Sequence, residues 1–129
     1  MGTWSNGPFD NDDAAELMIE LENAPSWDTL RSAFDDVLAA EDYLEAPEGA
    51  RAVAAAALIT VATGKGDVSA QDIHMILDDM GAVPEDLPEL ARQALKRVTT
   101  GDSEIRELYL DSGGYVEWLE TVTAIETML

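Results

Sequence analysis

The chain has 129 residues, enough for one domain with a buried core, and 47 % of them are hydrophobic, which is typical of a folded protein. Its formal net charge of −20 disfavours binding to nucleic acid or to anionic membranes, because their phosphates would be repelled. The absence of cysteine excludes disulfides, thiolate metal sites and a cysteine nucleophile, and with a single histidine we expect no metal or other cofactor.

No part of the sequence is typical of export or of membrane insertion. The opening Met1-Gly2-Thr3-Trp4 lacks the basic and apolar regions of a secretory signal. The longest apolar run, residues 52–63, is much shorter than the roughly 20 residues that span a bilayer. We therefore expect a cytoplasmic protein in which this run forms a central buried helix.

Apolar residues recur at helical spacing along nearly the whole chain, and no stretch alternates as a strand does. This pattern predicts an all-α fold, a compact single domain over residues 1–129 with about six or seven short helices. The first helix is expected to begin at Asp10 or Asn11 and to continue to about Asn23, because Pro25 stops it.

The second and third helices are bounded by recognisable signals. Ser26 is expected to cap the second helix, whose core stripe ends with Leu38 and which is expected to end near Asp42. Pro47 suits the first turn of the third helix, and Gly64 suits its end. Because the third helix is alanine-rich and apolar on nearly all sides, we expect the others to surround it.

Four shorter helices are expected in the remainder of the chain. The fourth ends at Gly81, the sixth places Leu108 on its core face, and the seventh begins at Tyr115. Short connections predict that consecutive helices pack as neighbours. The expected capping residues are Ser69 for the fourth helix, Asp86 for the fifth, and Asp102 or Ser103 for the sixth.

Negative charge is concentrated near the amino terminus. Residues 1–48 contain 13 acids and one base, Arg31, for a net charge of −12, whereas residues 49–66 contain no acid. Asp12, Glu16 and Glu20 lie four residues apart, so they form one row on the first helix with no cation in it. This row is interpreted as a solvated face or, alternatively, as a docking surface for a basic partner.

The segment Trp4–Asp13 is the most specific motif of the sequence. Phe9 stands where an apolar residue can pack against the start of a helix, and the polar run Asp10–Asp13 suits the positive end of the helix dipole. A ligand or cation site in this run is the alternative interpretation. A calcium loop starting at Asp10 does not fit, because its required glycine and glutamate fall on Ala15 and Leu21.

The opening MGTWSNGPFDNDDAAE resembles that of the bacterial domain-of-unknown-function 4259 family, whose members begin G-x-W-G-x-G-x-F-x-N-D-x-A-x-D. The alanine-rich helix ending at Gly64 and the tail SEIRELY at residues 103–109, with Trp118 beyond it, also look like that family. Ser5 stands where the family usually has glycine. The resemblance spans essentially the whole chain, and it implies no activity, because the family has none assigned.

The function expected from the sequence is that of a non-enzymatic, acidic interaction module of the immunity or inhibitor type, which binds a basic protein. One alternative is a small-ligand protein or enzyme with a pocket near the amino-terminal motif, and another is that the acidity is only an adaptation to host or salt. Neither a catalytic residue nor an oligomeric state follows from the sequence. The candidate binding residues are Trp4, Phe9, Asp10, Asn11, Asp12, Glu16 and Glu20.

Overall fold

A computed structural model of the chain describes residues 8–9, 11–66 and 71–129. These residues contain seven helices and no strand, which confirms the all-α prediction. The helices are α1 (Asp12–Asn23), α2 (Trp27–Ala39), α3 (Ala46–Ala62), α4 (Gln71–Met80), α5 (Leu87–Thr99), α6 (Glu104–Ser112) and α7 (Tyr115–Met128).

Helix α3 is the centre of the fold, as its apolar sequence predicts. It packs against each of the other six helices. Its residues are buried almost without interruption from Gly49 to Val61, and about half of them are alanine, so neighbouring helices can approach closely. Arg51 is the one charged residue in that stretch, and it is only half-buried. Arg51 is therefore the one cation that α3 places at the surface within this otherwise uncharged stretch.

Asn11 fixes the start of α1. Its Oδ1 atom accepts a hydrogen bond of 2.9 Å from the backbone N–H of Ala14, and Asp12 and Asp13 occupy the first turn, where negative charge favours the helix dipole. Phe9 is partly buried and packs against the core just before this cap. The helix thus begins at the polar run of the amino-terminal motif, with Asn11 as its cap.

Helix α2 ends at Ala39, and the prediction of an end near Asp42 was wrong. Ser26 caps the helix as expected, accepting a 3.1 Å hydrogen bond from the backbone of Asp28. The chain leaves the helix early because the buried Leu44 forms a bridge to the loop before α6, with hydrogen bonds of 2.8 Å in both directions. Leu38, expected in the core, lies one residue past the buried stripe and is 38 % exposed.

Two of the residues predicted to cap helices do not cap them in the structure. Asp86 precedes α5, but its carboxylate caps nothing and forms a bidentate pair with Arg31 of α2, with one contact at 3.2 Å. Ser103 precedes α6, but its hydroxyl does not cap the helix and has no partner among the described residues.

Leu108 of α6, predicted on the core face, is 36 % exposed rather than fully in the core. The predicted cap Ser69 lies outside the described residues.

Arg97 of α5 joins the ends of two helices through backbone carbonyls. Its guanidinium donates to the carbonyl oxygens of Ala40 at 3.4 Å, Thr100 at 3.2 Å and Asp102 at 3.1 Å. The Leu44–Ser103 bridge lies in the same two connections. We call Arg97, its three carbonyl acceptors and this bridge the carbonyl junction, because it fastens the chain after α2 to the chain before α6.

Candidate functional site

Arg51 lies at the junction of α1, α2 and α3. Both α1 and α2 pack on α3, so an arginine near the start of α3 can reach the acids of either neighbour. Its guanidinium binds Glu20 of α1 with contacts of 2.6 and 2.9 Å. It also interacts electrostatically with Glu16 and Asp13 of α1 and with Asp36 of α2. The acidic row of α1 is therefore joined to α2 through one cation.

In the structure, the acidic row of α1 is part of a broader surface, which we call the acidic face. Its members share the region around Arg51 and the groove beside it, and all are exposed except Asp13 and Glu48, which are half-buried. Arg51 forms a salt bridge with only one of the seven carboxylates, Glu20. The acidic face consists of Asp12, Asp13, Glu16, Glu20, Asp36, Glu45 and Glu48, with Arg51 among them.

Opposite pKa shifts within the acidic face show how locally Arg51 acts. The hydrogen bond from Arg51 lowers the pKa of Glu20 below 4.5. Burial, followed by the charges of Glu16 and Asp12, raises the pKa of Asp13 above 3.8 even though Arg51 opposes the shift. The guanidinium therefore stabilises the charged form of its own partner, but about two turns away on α1 it does not offset the burial and the neighbouring acids that raise the pKa of Asp13.

A shallow groove of about 490 Å³ continues the acidic face between the end of α2 and the start of α3. Asp36, Glu45 and Glu48 line it, together with the ring of Tyr43. The Tyr43 hydroxyl donates a 3.0 Å hydrogen bond to Glu107 of α6, which holds the ring in place. Loss of solvation, this hydrogen bond and nearby acids raise the pKa of Tyr43 to about 12, so the ring stays neutral beside the carboxylates.

The structure separates the candidate residues of the sequence into two groups. Asp12, Glu16 and Glu20 share the acidic face, whereas Asn11 caps α1 and Phe9 packs against the core. The small cavity beside Asn11, otherwise lined by Pro8 and apolar side chains of α3, α6 and α7, measures about 10 Å³. That is room for about one water molecule. The candidates Trp4 and Asp10 lie outside the described residues.

Sequence reasoning missed Arg51 and the acids that it joins to α1. Arg51 is the single charged residue in the most apolar stretch of the chain. That exception was the one signal in the sequence that its side chain contributes to a surface. Its proximity to Asp36 could not be deduced, because it depends on how α1 and α2 are placed on α3. Glu45 and Glu48 were counted in the negative charge, but nothing in the sequence placed them beside Asp36.

The described part of the chain shows neither a cluster of metal-ligating side chains nor a membrane-spanning helix. Among residues 8–9, 11–66 and 71–129, no three histidine, aspartate or glutamate side chains converge to hold a metal ion. None of the helices described is long and apolar enough to cross a membrane. What the arrangement offers chemically is a surface of carboxylates.

Comparison with known proteins gives one match. The family model described as "Domain of unknown function (DUF4259)" matches residues 2–121. The chain belongs to the DUF4259 family. The matched segment includes the whole acidic face and every helix up to the first half of α7. Neither a curated protein nor a solved structure matches the chain. Membership in DUF4259 therefore identifies the chain without assigning it an activity.

Proposed function

We propose that this chain is a cytoplasmic, non-enzymatic interaction module, folded as one domain, that presents the acidic face to a basic protein, as an immunity or inhibitor protein does. The observation that carries the proposal is the imbalance at Arg51. The acidic face has seven carboxylates and one guanidinium, which pairs with Glu20 in a bidentate way and acts electrostatically on Asp13, Glu16 and Asp36. The other six acids form no salt bridge with a described residue.

The neighbouring cation on α2 does not relieve this imbalance. Arg31 forms its bidentate pair with Asp86, outside the acidic face. Lysine or arginine side chains of a partner would therefore meet carboxylates that lack a counter-charge, and association would reduce their mutual repulsion. Such complementarity accelerates encounter and selects for basic partners, and salt weakens it.

The proposal is tested by capture of proteins on three immobilised forms of the chain: the wild type, a variant of the acidic face, and a control. The first variant is Asp12→Asn/Glu16→Gln/Asp36→Asn. The control is Glu85→Gln/Asp111→Asn/Glu120→Gln, which removes the same three charges at exposed positions elsewhere. Mass spectrometry identifies proteins that wild type captures from a bacterial lysate, and purified candidates are then titrated against each form.

We expect a basic protein to bind the wild type and the control similarly, to bind the acidic-face variant much more weakly, and to dissociate as salt is raised. Equal loss from both variants would mean that total charge alone attracts proteins. Binding that survives high salt would also count against the proposal.

An acidity that serves only host or salt adaptation gives a different pattern of results. No purified basic protein would then distinguish the two variants, and the melting temperature of wild type would rise steeply as salt screens the repulsion among its acids. The alternative of a small-ligand site gains no support from the cavity beside Asn11, because its volume of about 10 Å³ is too small for a substrate.

A further inference from the structure

A second surface, between the end of α1 and the short helix α4, combines apolar side chains with acids. Asp72, Met75, Ile76 and Asp79 occur at positions i, i+3, i+4 and i+7 of α4, so they form one stripe along the helix. Glu22 and Pro25, at the end of α1, lie across from this stripe. The six residues line a groove of about 190 Å³, which we call the α1–α4 groove.

Large apolar side chains are exposed on both helices that form this groove. Met75 is 61 % exposed at the groove and Ile76 is 8 % exposed beneath it. Ile19 is 54 % exposed on α1, one turn before Glu22. Exposed apolar side chains clustered inside a polar rim are typical of protein interaction sites. The groove is thus apolar in the middle and acidic at its edges.

The charges at the edges restrict what can cover the groove. The side chains of Glu22, Asp72 and Asp79 form no hydrogen bond or ion pair with any described residue, and all three are exposed. An apolar partner without cations would remove these carboxylates from water and leave them unpaired, which is unfavourable. A second copy of this chain, with a charge of −20, or an anionic membrane would place like charges together.

We propose that the α1–α4 groove docks an amphipathic helix of the partner, with its apolar face in the groove and lysine or arginine at the edges of that face. Asp72 and Asp79 are separated by seven residues of α4, a rise of about 10 Å. Two cations seven residues apart on a partner helix have the same separation, with apolar residues between them to contact Met75. The inference rests on the proposed function only in taking the partner to be basic.

The test uses two synthetic helical peptides of about 15 residues. The first carries lysine at i and i+7 with leucine at i+3 and i+4, and the second has the same composition with these residues dispersed around the helix. Fluorescence titration at 0.15 M salt measures their affinity for wild type. Circular dichroism verifies that each protein variant is folded, which is expected because every substituted residue is exposed.

Met75→Ser removes the apolar contact without adding charge, and Leu110→Ser, at a side chain 45 % exposed on α6, is its matched control. We expect the first peptide to bind better than the second, Met75→Ser to weaken it at least about tenfold, and Leu110→Ser to leave it within about twofold. Asp72→Asn/Asp79→Asn should also weaken it and should reduce the salt dependence of binding.

Failure of the groove and failure of the proposed function give different results. Absence of binding, equal binding of both peptides, or no effect of Met75→Ser overturns the groove, while loss of a captured partner from the acidic-face variant would still support the proposed function. If instead the groove binds the first peptide and a captured partner is indifferent to the acidic face, the groove stands and the proposed function fails. Self-association or binding to anionic vesicles that Met75→Ser abolishes would also overturn the proposed occupant.

Discussion

Arg51 and Arg97 are both half-buried, yet their surroundings differ completely. Arg51 forms its salt bridge with the exposed carboxylate of Glu20, in a region where several more carboxylates remain without a salt bridge. Arg97 donates to three backbone carbonyls, which belong to the chain after α2, the end of α5 and the loop before α6. One arginine moderates the charge of a surface, and the other fastens segments of the fold.

The two arginines distinguish an effect on surface charge from an effect on the stability of the fold. An exposed ion pair contributes little to folding because water solvates both groups well in the unfolded chain. Backbone carbonyls at the ends of helices need donors, and a guanidinium supplies several from one side chain. We therefore expect substitutions at the carbonyl junction to change stability, and substitutions in the acidic face to change charge, salt dependence and binding.

The largest expected effect is that of Arg97→Ala, which removes the donors to Ala40, Thr100 and Asp102. It should lower the free energy of unfolding by about 2–3 kcal/mol, as expected when a charged donor of several hydrogen bonds is lost. Urea denaturation measures this change. Lys96→Ala, at an exposed neighbour on α5, is the matched control. An equally small loss for both variants would mean that Arg97 does not fasten the carbonyl junction.

Ser103→Ala should change stability in the opposite direction. The Ser103 hydroxyl is fully buried, makes no cap, and has no partner among the described residues. Because a buried hydroxyl without a hydrogen bond is unfavourable, its removal should raise the free energy of unfolding by about 1 kcal/mol. A clear loss of stability in the same urea experiment would mean that this hydroxyl does make a stabilising contact.

Arg51→Gln should lower stability by less than about 1 kcal/mol, because its partner in the pair, Glu20, is exposed to solvent. The loss should be greatest at low salt, where removal of the cation increases repulsion among the acids, and should shrink as salt screens them. Thermal melts of wild type and variant across a salt series test this. A loss as large as that of Arg97→Ala, or one independent of salt, would mean that Arg51 stabilises the fold as Arg97 does.

The smallest effects concern pH. Glu20, whose pKa is lowered, contributes stability that is present above pH 4.5 and is lost as the pH falls through its folded pKa. Asp13, whose pKa is raised, behaves oppositely: its contribution is present below pH 3.8 and is lost as the pH rises through its folded pKa. NMR titration of the side-chain carboxyl groups should show both shifts.

The same titration of Arg51→Gln provides the control. The downward shift of the Glu20 pKa should disappear, because its main cause is the hydrogen bond from Arg51. The pKa of Asp13 should rise further, because Arg51 opposes its upward shift. If neither pKa moves in the variant, the acids are not coupled through this arginine.

The sequence predicts features that depend on local patterns. The central position of α3 follows from its continuous apolar run, and the start of α1 follows from the polar residues that can cap it. Arg31 and Asp86, by contrast, are 55 residues apart, and Arg51 and Glu20 are 31 apart. A residue that suits a cap locally, such as Asp86, can be taken by a distant cation, and no local pattern shows this.

The candidate site was predictable only in part for the same reason. The row formed by Asp12, Glu16 and Glu20 follows from helical spacing alone. Its connection to Asp36 through Arg51 requires three helices to be assembled first. Leu38 and Leu108 were predicted to lie in the core, but both are partly exposed. Their exposure depends on which side of each helix its neighbours cover, and the sequence does not show this.

The most direct test of the central claim is an NMR footprint of a basic protein captured by the wild type. Its unlabelled form is titrated into the isotope-labelled chain, and the amide shifts are mapped at low and high salt. We predict that the shifts on α1 around Asp12 and Glu16 and on α2 around Asp36 exceed those on α5 to α7, and that they vanish at high salt. Shifts concentrated on α5 to α7, or unchanged by salt, would contradict a function carried by the acidic face.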